Sequence, residues 1–324
     1  MYQFTLSILF LVVGLMDNPL PQARHLEEVT FDTHRNKLIL YGGAVAEDGK
    51  LKEFIQVHEW DGAGWKDVNT PGPGGRSGHA LVYHAEEKVT YLIGGASEAK
   101  NPYVIYMDVW QWNGKDWKQV NSECPVKTPK AVYDPVNKRI LAYGDASDKT
   151  KFMYGKDQKF ELWEYTSNSW KKLSSDGPHT DGPTGIAYDT NRQTLVIPDW
   201  EEGKAVVWEW KNNAWKKISC DQNCPSARNR FPVVYYPEEK ATYLFGGFTE
   251  DRKQLGDFWK WDGRQWTQIN FSIGPSVRNS THFAYGQNSL LLFGGSVPKP
   301  GSPGQITLCN ELWQWKAGAW KQIQ

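Results

Sequence analysis

Six times in this chain a tryptophan or tyrosine is followed five residues later by a tryptophan. The pairs are Trp60/Trp65, Trp112/Trp117, Tyr165/Trp170, Trp210/Trp215, Trp261/Trp266 and Trp315/Trp320. Successive pairs lie about fifty residues apart, the signature of one structural unit repeated. Of the 17 tryptophans, Trp200 alone falls outside these pairs or the position two residues before them. A chain of 324 residues is therefore expected to be one repeat domain rather than two ordinary ones.

The second unit shows the pattern most fully. It opens Arg76-Ser77-Gly78-His79, runs through ALVYHAEEK, and reaches VTYLIGG, which ends at Gly94-Gly95. A polar loop leads to DVWQW, the turn Asn113-Gly114, and DWKQV. This predicts four antiparallel strands, A to D, joined as a meander. Asn-Gly and Asp-Gly supply the positive φ angles of tight hairpins. A two-residue turn at Asn113-Gly114 would set Trp110 opposite Trp117, and a four-residue loop would set Trp112 opposite Trp117. Either way each hairpin carries large rings, each burying roughly 150–250 Å². Sheets with bulky residues on both faces must be covered by other sheets, and six of them can close radially.

The Arg-x-x-His opening, the diglycine closing strand B, and the acidic residue before a spaced aromatic pair together resemble the kelch repeat. The resemblance covers residues 18–324. It implies an all-β, six-bladed kelch-type β-propeller of the galactose oxidase central-domain-like superfamily, with four antiparallel strands per blade and strand A innermost. The blades are expected at about 18–70, 71–121, 122–174, 175–219, 220–270 and 271–324. Unit 3 departs from the pattern at Gly144-Asp145, unit 4 at Ile197-Pro198-Asp199, and unit 1 at His58, which stands where the first tryptophan would. Both terminal units hold complete strands, so closure is expected from packing of blade 1 on blade 6, unless the N-terminal apolar run contributes.

Bulk composition excludes some partners. The 37 basic and 37 acidic residues give a formal net charge of zero, which argues against nucleic acid. Residues 1–17 hold the apolar run FTLSILFLVVGLM, too short for a typical membrane span and fitting a secretory signal or anchor, with an extra strand as the alternative. The expectation is a monomer that is secreted, periplasmic or displayed at the cell surface. Four cysteines are too few for a disulfide scaffold, but Cys220 and Cys224 are close enough to bridge. No metal or cofactor is expected, because no ligand cluster or phosphate-binding loop appears.

In this meander the D–A and B–C loops share one face, and the ligand is expected there. Its candidate B–C loops are 44–53, 96–106, 146–159, 199–204, 248–254 and 296–309. The start of strand A places Arg24, Arg76, Lys130, Arg228 and Arg278 at that face, with His79 and His282 just inside. Such a ring of cations attracts a carboxylate, a phosphate or an acidic peptide, or else ties blade to blade. On the binding reading, Arg76→Ala loses ligand with little change in stability. In unit 4, Asp199, Trp200 and Glu201 form a second candidate, with an exposed indole beside carboxylates. The function expected is a non-catalytic module that recognises a glycan, peptide or protein through the D–A/B–C face. The alternative is a sugar-active enzyme of the kelch kind, resembling a sialic-acid mutarotase. Galactose oxidase, with its copper, cross-linked Tyr–Cys, second Tyr and two His, offers a set that does not map onto these residues.

Overall fold

The computed structural model describes residues 20–148, 158–179, 185–302 and 304–324. The apolar run at the N-terminus lies outside the described residues. Six four-stranded antiparallel sheets follow one another along the chain. Their innermost strands, A, are His25–Asp32, Ala80–His84, Lys127–Asp134, Ala187–Asp189, Val233–Tyr236 and His282–Gly286. Each strand A touches its two neighbours, and the ring closes between blades 6 and 1.

Among the described residues no strand is exchanged across that closure, since each sheet is built from contiguous sequence. Val29, Phe31, Leu40 and Trp65 of blade 1 form one core with Leu291, Phe293 and Leu312 of blade 6. The Trp65 and Phe293 rings lie 5.3 Å apart.

The aromatic pairs face each other directly across strands C and D in all six blades. One register is reached by two routes. In blades 3, 4 and 6 the turns Ser167-Asn168, Asn212-Asn213 and Ala317-Gly318 hold both residues at positive φ, as a two-residue hairpin requires. In blades 1, 2 and 5, Asp61, Asn113 and Asp262 start four-residue loops, and each side-chain oxygen accepts the amides two and three residues on. Asn113-Gly114 is therefore not a two-residue turn, because the Asn side chain caps a wider loop.

A lock between blades accompanies the wide loops of blades 2 and 5. Arg35, in the A–B turn of blade 1, bonds Asp32 and Glu59, each at 2.7 Å. Trp112 of blade 2 donates to the same Glu59 at 3.1 Å. Blade 4 repeats the device with Arg192, Asp189 and Glu209, and Trp261 of blade 5 donates to Glu209. The wide loop of the next blade lays a glycine over the guanidinium. A Cβ on Gly114 would fall 2.6 Å from Arg35 Cζ, and its φ is +94°. Gly114→Ala is expected to cost about 2 kcal/mol or more in urea melts, through strain and loss of the Arg35 contacts. Gly318→Ala, with nothing within 4 Å, is the control and should cost only its backbone strain, about 1 kcal/mol.

Candidate functional site

In blades 2, 3, 5 and 6 the first tryptophan of strand C and the acid two residues before it hold the B–C loop in place. Trp110, Trp163, Trp259 and Trp313 donate their indole N–H to Asp108, Glu161, Asp257 and Glu311. In blades 2, 5 and 6 the same acid binds the arginine that opens strand A. Arg76 meets Asp108 at 2.6 and 3.2 Å, Arg228 meets Asp257 at 2.6 and 2.8 Å, and Arg278 meets Glu311 at 2.6 Å. Each guanidinium also donates to the first carbonyl of the diglycine, at Gly94, Gly246 and Gly294. The second glycine is needed where the chain doubles back. At Gly95, with φ +98°, a Cβ would lie 2.9 Å from Ser77 O and 2.8 Å from His79 Cβ.

Blade 1 reaches the same end with different residues. Gln56 stands where the acid would be, and Arg24 instead bonds His58, whose other ring nitrogen meets Asp67. The His58 departure therefore relays a carboxylate to Arg24.

All four arginines are less than 5% exposed. The structure sets them inside the blade walls rather than at the channel mouth, so it does not bring them together with the channel residues. His79 leaves the site as well. It is fully buried against Tyr41, and burial pushes its pKa down to about 3.

The second candidate also disperses. The segment 199–204 is not a loop. Strand B of blade 4 continues to Glu201 and turns at Glu202-Gly203 straight into strand C. Trp200 is half-buried, donates to Pro225 O at 3.0 Å and packs edge-on against Phe231. Asp199 is buried, and Glu201 pairs with Lys217 on the surface. Local strand pairing outcompetes the irregular turn that Pro198-Asp199 suggested.

What does converge lies on the central channel, a cavity of about 610 Å³. Each strand A carries a tyrosine, or Phe31 in blade 1, near its end. Seven residues before it stand Arg24, Arg76, Val126, Arg228 and Arg278 in the described blades. Blade 3 thus holds Val126 at the arginine position, and Lys130 is not part of that ring. Lys130 lies three residues before its tyrosine, where the other blades have Glu28, Ala80, Gly185, Pro232 and His282. All six line the channel. The three small residues leave space, and the three ionisable ones meet across it. Lys130 Nζ donates to Glu28 Oε1 at 2.5 Å, and His282 Nδ1 lies 3.1 Å from Glu28 Oε2.

Burial opposes the charge on Glu28, but Lys130 and His282 outweigh it and hold the carboxyl well below its usual range. Burial likewise opposes the charge on His282, and Glu28 overrides it, raising the imidazole pKa. The Nε2 of His282 is buried and meets no partner among the described residues. Exposed Arg230 lines the channel above this neck and makes no salt bridge among the described residues. Nearby Asp145, the departure from diglycine in unit 3, is neutralised by Lys127 at 3.0 Å.

Two further features complete the surroundings. Cys220 and Cys224 are disulfide-bonded, with Cα atoms 6.1 Å apart. Among the described residues no group of three or more His, Cys, Asp or Glu side chains is placed to hold a metal ion, and no helix is long and apolar enough to cross a membrane.

Six meander sheets around one channel make this protein a six-bladed β-propeller, and its arginine–diglycine–acid ties resemble those of the kelch repeat. The comparisons agree at the level of fold. Among solved structures the chain is similar to YjhT, with a TM-score of 0.65 and 15% identity over 94% of this chain and 98% of that one. Among curated proteins it is similar to Mei4-dependent protein 6 of Schizosaccharomyces pombe (strain 972 / ATCC 24843), 24% identical over 212 residues. That match takes in 56% of this chain but spans only 29% of the length of the yeast protein. No protein-family model matches the chain.

Proposed function

We propose that this propeller is a binding module whose D–A/B–C face admits a carboxylate-bearing ligand, from an acidic glycan or an acidic peptide, to the neck of the channel. The observation that carries this reading is the convergence of Lys130, Glu28 and His282 from blades 3, 1 and 6. With Arg230 above them, Lys130 and His282 face Glu28 at the neck, while Glu98 and the Lys127-paired Asp145 also line the channel. Lys130 has N–H donors beyond the one given to Glu28, and a charged imidazole presents Nε2–H. The disulfide supports an oxidising, exported setting.

A second reading is a sugar-active enzyme of the kelch kind, as sialic-acid mutarotases are. It is favoured by the proton-carrying groups of the neck and by a channel of the size that takes small ligands.

Calorimetric titration with glucuronate against glucose tests the binding reading. The acid is expected to bind and the neutral sugar not, and Lys130→Gln should weaken acid binding per folded molecule at least about tenfold. Equal binding of both sugars, or of neither, would sink the proposal. Faster anomeric exchange of an acidic sugar by NMR, lost in Glu28→Gln, would move the assignment to the enzyme.

A further inference from the structure

Below the charged neck the channel changes character. One residue before each strand-A aromatic stand Thr30, Val82, Val132, Ala187, Val234 and Ala284, and all six line the cavity. They lie two residues beyond the neck position, hence on the same face of each strand, about 7 Å deeper. Five of the six are aliphatic, and the hydroxyl of Thr30 is already engaged by the Tyr83 amide. Deeper still the channel meets Tyr83, Tyr133, Tyr188, Tyr235 and Tyr285. Tyrosine hydroxyls there serve the preceding blade: Tyr235 accepts the Asn191 amide and Tyr285 donates to Glu238. They tie blades together, and their ring carbons are what remains for the channel.

This order is a charged neck with cationic donors, an aliphatic throat and an aromatic floor. A purely hydrophilic acid would leave the throat either wet or empty, and neither suits a wall of small aliphatic groups. We infer that the channel is a site for an amphipathic carboxylic acid, whose carboxylate meets Lys130, His282 and Arg230 while its apolar body fills the throat between Val82, Val132 and Val234. This rests on the anionic-ligand reading of the neck above and adds to it the chemistry of the rest of the ligand.

Length is the discriminating variable. From neck to aromatic floor is three residues of strand, about 10 Å. Each methylene moved from water into the throat is expected to tighten Kd about fourfold, following about 0.8 kcal/mol per buried CH₂. The experiment titrates the intact chain with butyrate, hexanoate, octanoate and decanoate, with decanol and glucuronate as controls. Affinity is expected to climb along the acids until the throat is filled and then level off. Decanol should bind at least about tenfold more weakly than decanoate for want of the charged contact. Val234→Phe, which narrows the throat, should end the climb at a shorter acid. A flat acid series with glucuronate still bound in a Lys130-dependent way would overturn the amphipathic assignment and leave the neck reading standing. Silence from every acid would overturn both. Decanol binding as tightly as decanoate would show a greasy channel with no head-group site and would also overturn the assignment.

Discussion

Arg76→Ala is expected to cost about 3 kcal/mol of stability in urea denaturation, with affinity per folded molecule unchanged. This is the reverse of what a cation at a channel mouth would do. The guanidinium is 1% exposed, donates to Gly74 O, Gly94 O and both oxygens of Asp108, and stacks 4.1 Å from the centre of the Tyr106 ring. Removing it strands a carboxylate and a carbonyl that folding has taken from water. The double variant Arg76→Ala/Asp108→Ala should recover part of the loss, because the uncompensated charge goes with the second change. Binding lost with stability intact would return Arg76 to the ligand.

Glu27→Gln is expected to raise the melting temperature by several degrees at pH 8 and to leave it unchanged at pH 4. Glu27 is 1% exposed in the seam between blades 1 and 6, and neither carboxyl oxygen meets a donor from another described residue. A Cβ on Gly294 of blade 6 would lie 2.6 Å from Oε1, so the carboxyl sits directly beside the closing blade. Burial is the main cause that pushes its pKa from 4.5 up to about 7, with the charges of His282 and Arg24 pulling the other way.

The sign follows from the raised value. Below pH 4.5 the carboxyl is protonated in both folded and unfolded chains and costs nothing. Between pH 4.5 and 7 the unfolded chain ionises first, so stability falls as pH rises. Above pH 7 the full cost stands, on the order of 3 kcal/mol. The amide that replaces the carboxyl in the variant carries no such titration. Paired melting curves at the two pH values measure the difference. Superimposed curves at pH 8 would show that the seam tolerates the ionised carboxylate.

The blade count, the four-strand meander and the facing aromatic pairs were legible from residue order, because strands A to D of one blade are neighbours in sequence. An indole five residues from its partner can meet it only across a hairpin, whichever loop joins them. Packing of blade 1 on blade 6 was expected from the complete strands of the two terminal units, and the described residues make that contact. The arginines were visible as a repeated feature, but their role was not. Arg76 and Asp108 are 32 residues apart, and only the folded B–C loop shows that the charge is already answered. Trp200 was conspicuous for breaking the pattern, yet a regular hairpin through Glu202-Gly203 absorbs it. The Asp32–Arg35–Glu59 lock carried a signal that could have been read: an Asp-x-x-Arg turn recurring in units 1 and 4, each with Glu between the strand-C aromatics.

The sequence alone determined how many sheets form and what each contains, because pairing within a blade is local. Tertiary structure decided which side chains share the channel. Lys130 and His282 lie 102 and 254 residues from Glu28 along the chain, and the three come from blades 3, 6 and 1. Their common position in the repeat is visible in retrospect, but their meeting is not a property of any one unit. It requires the ring to close and the intervening position to be as small as Ala80, and closure is a long-range event that no local spacing encodes.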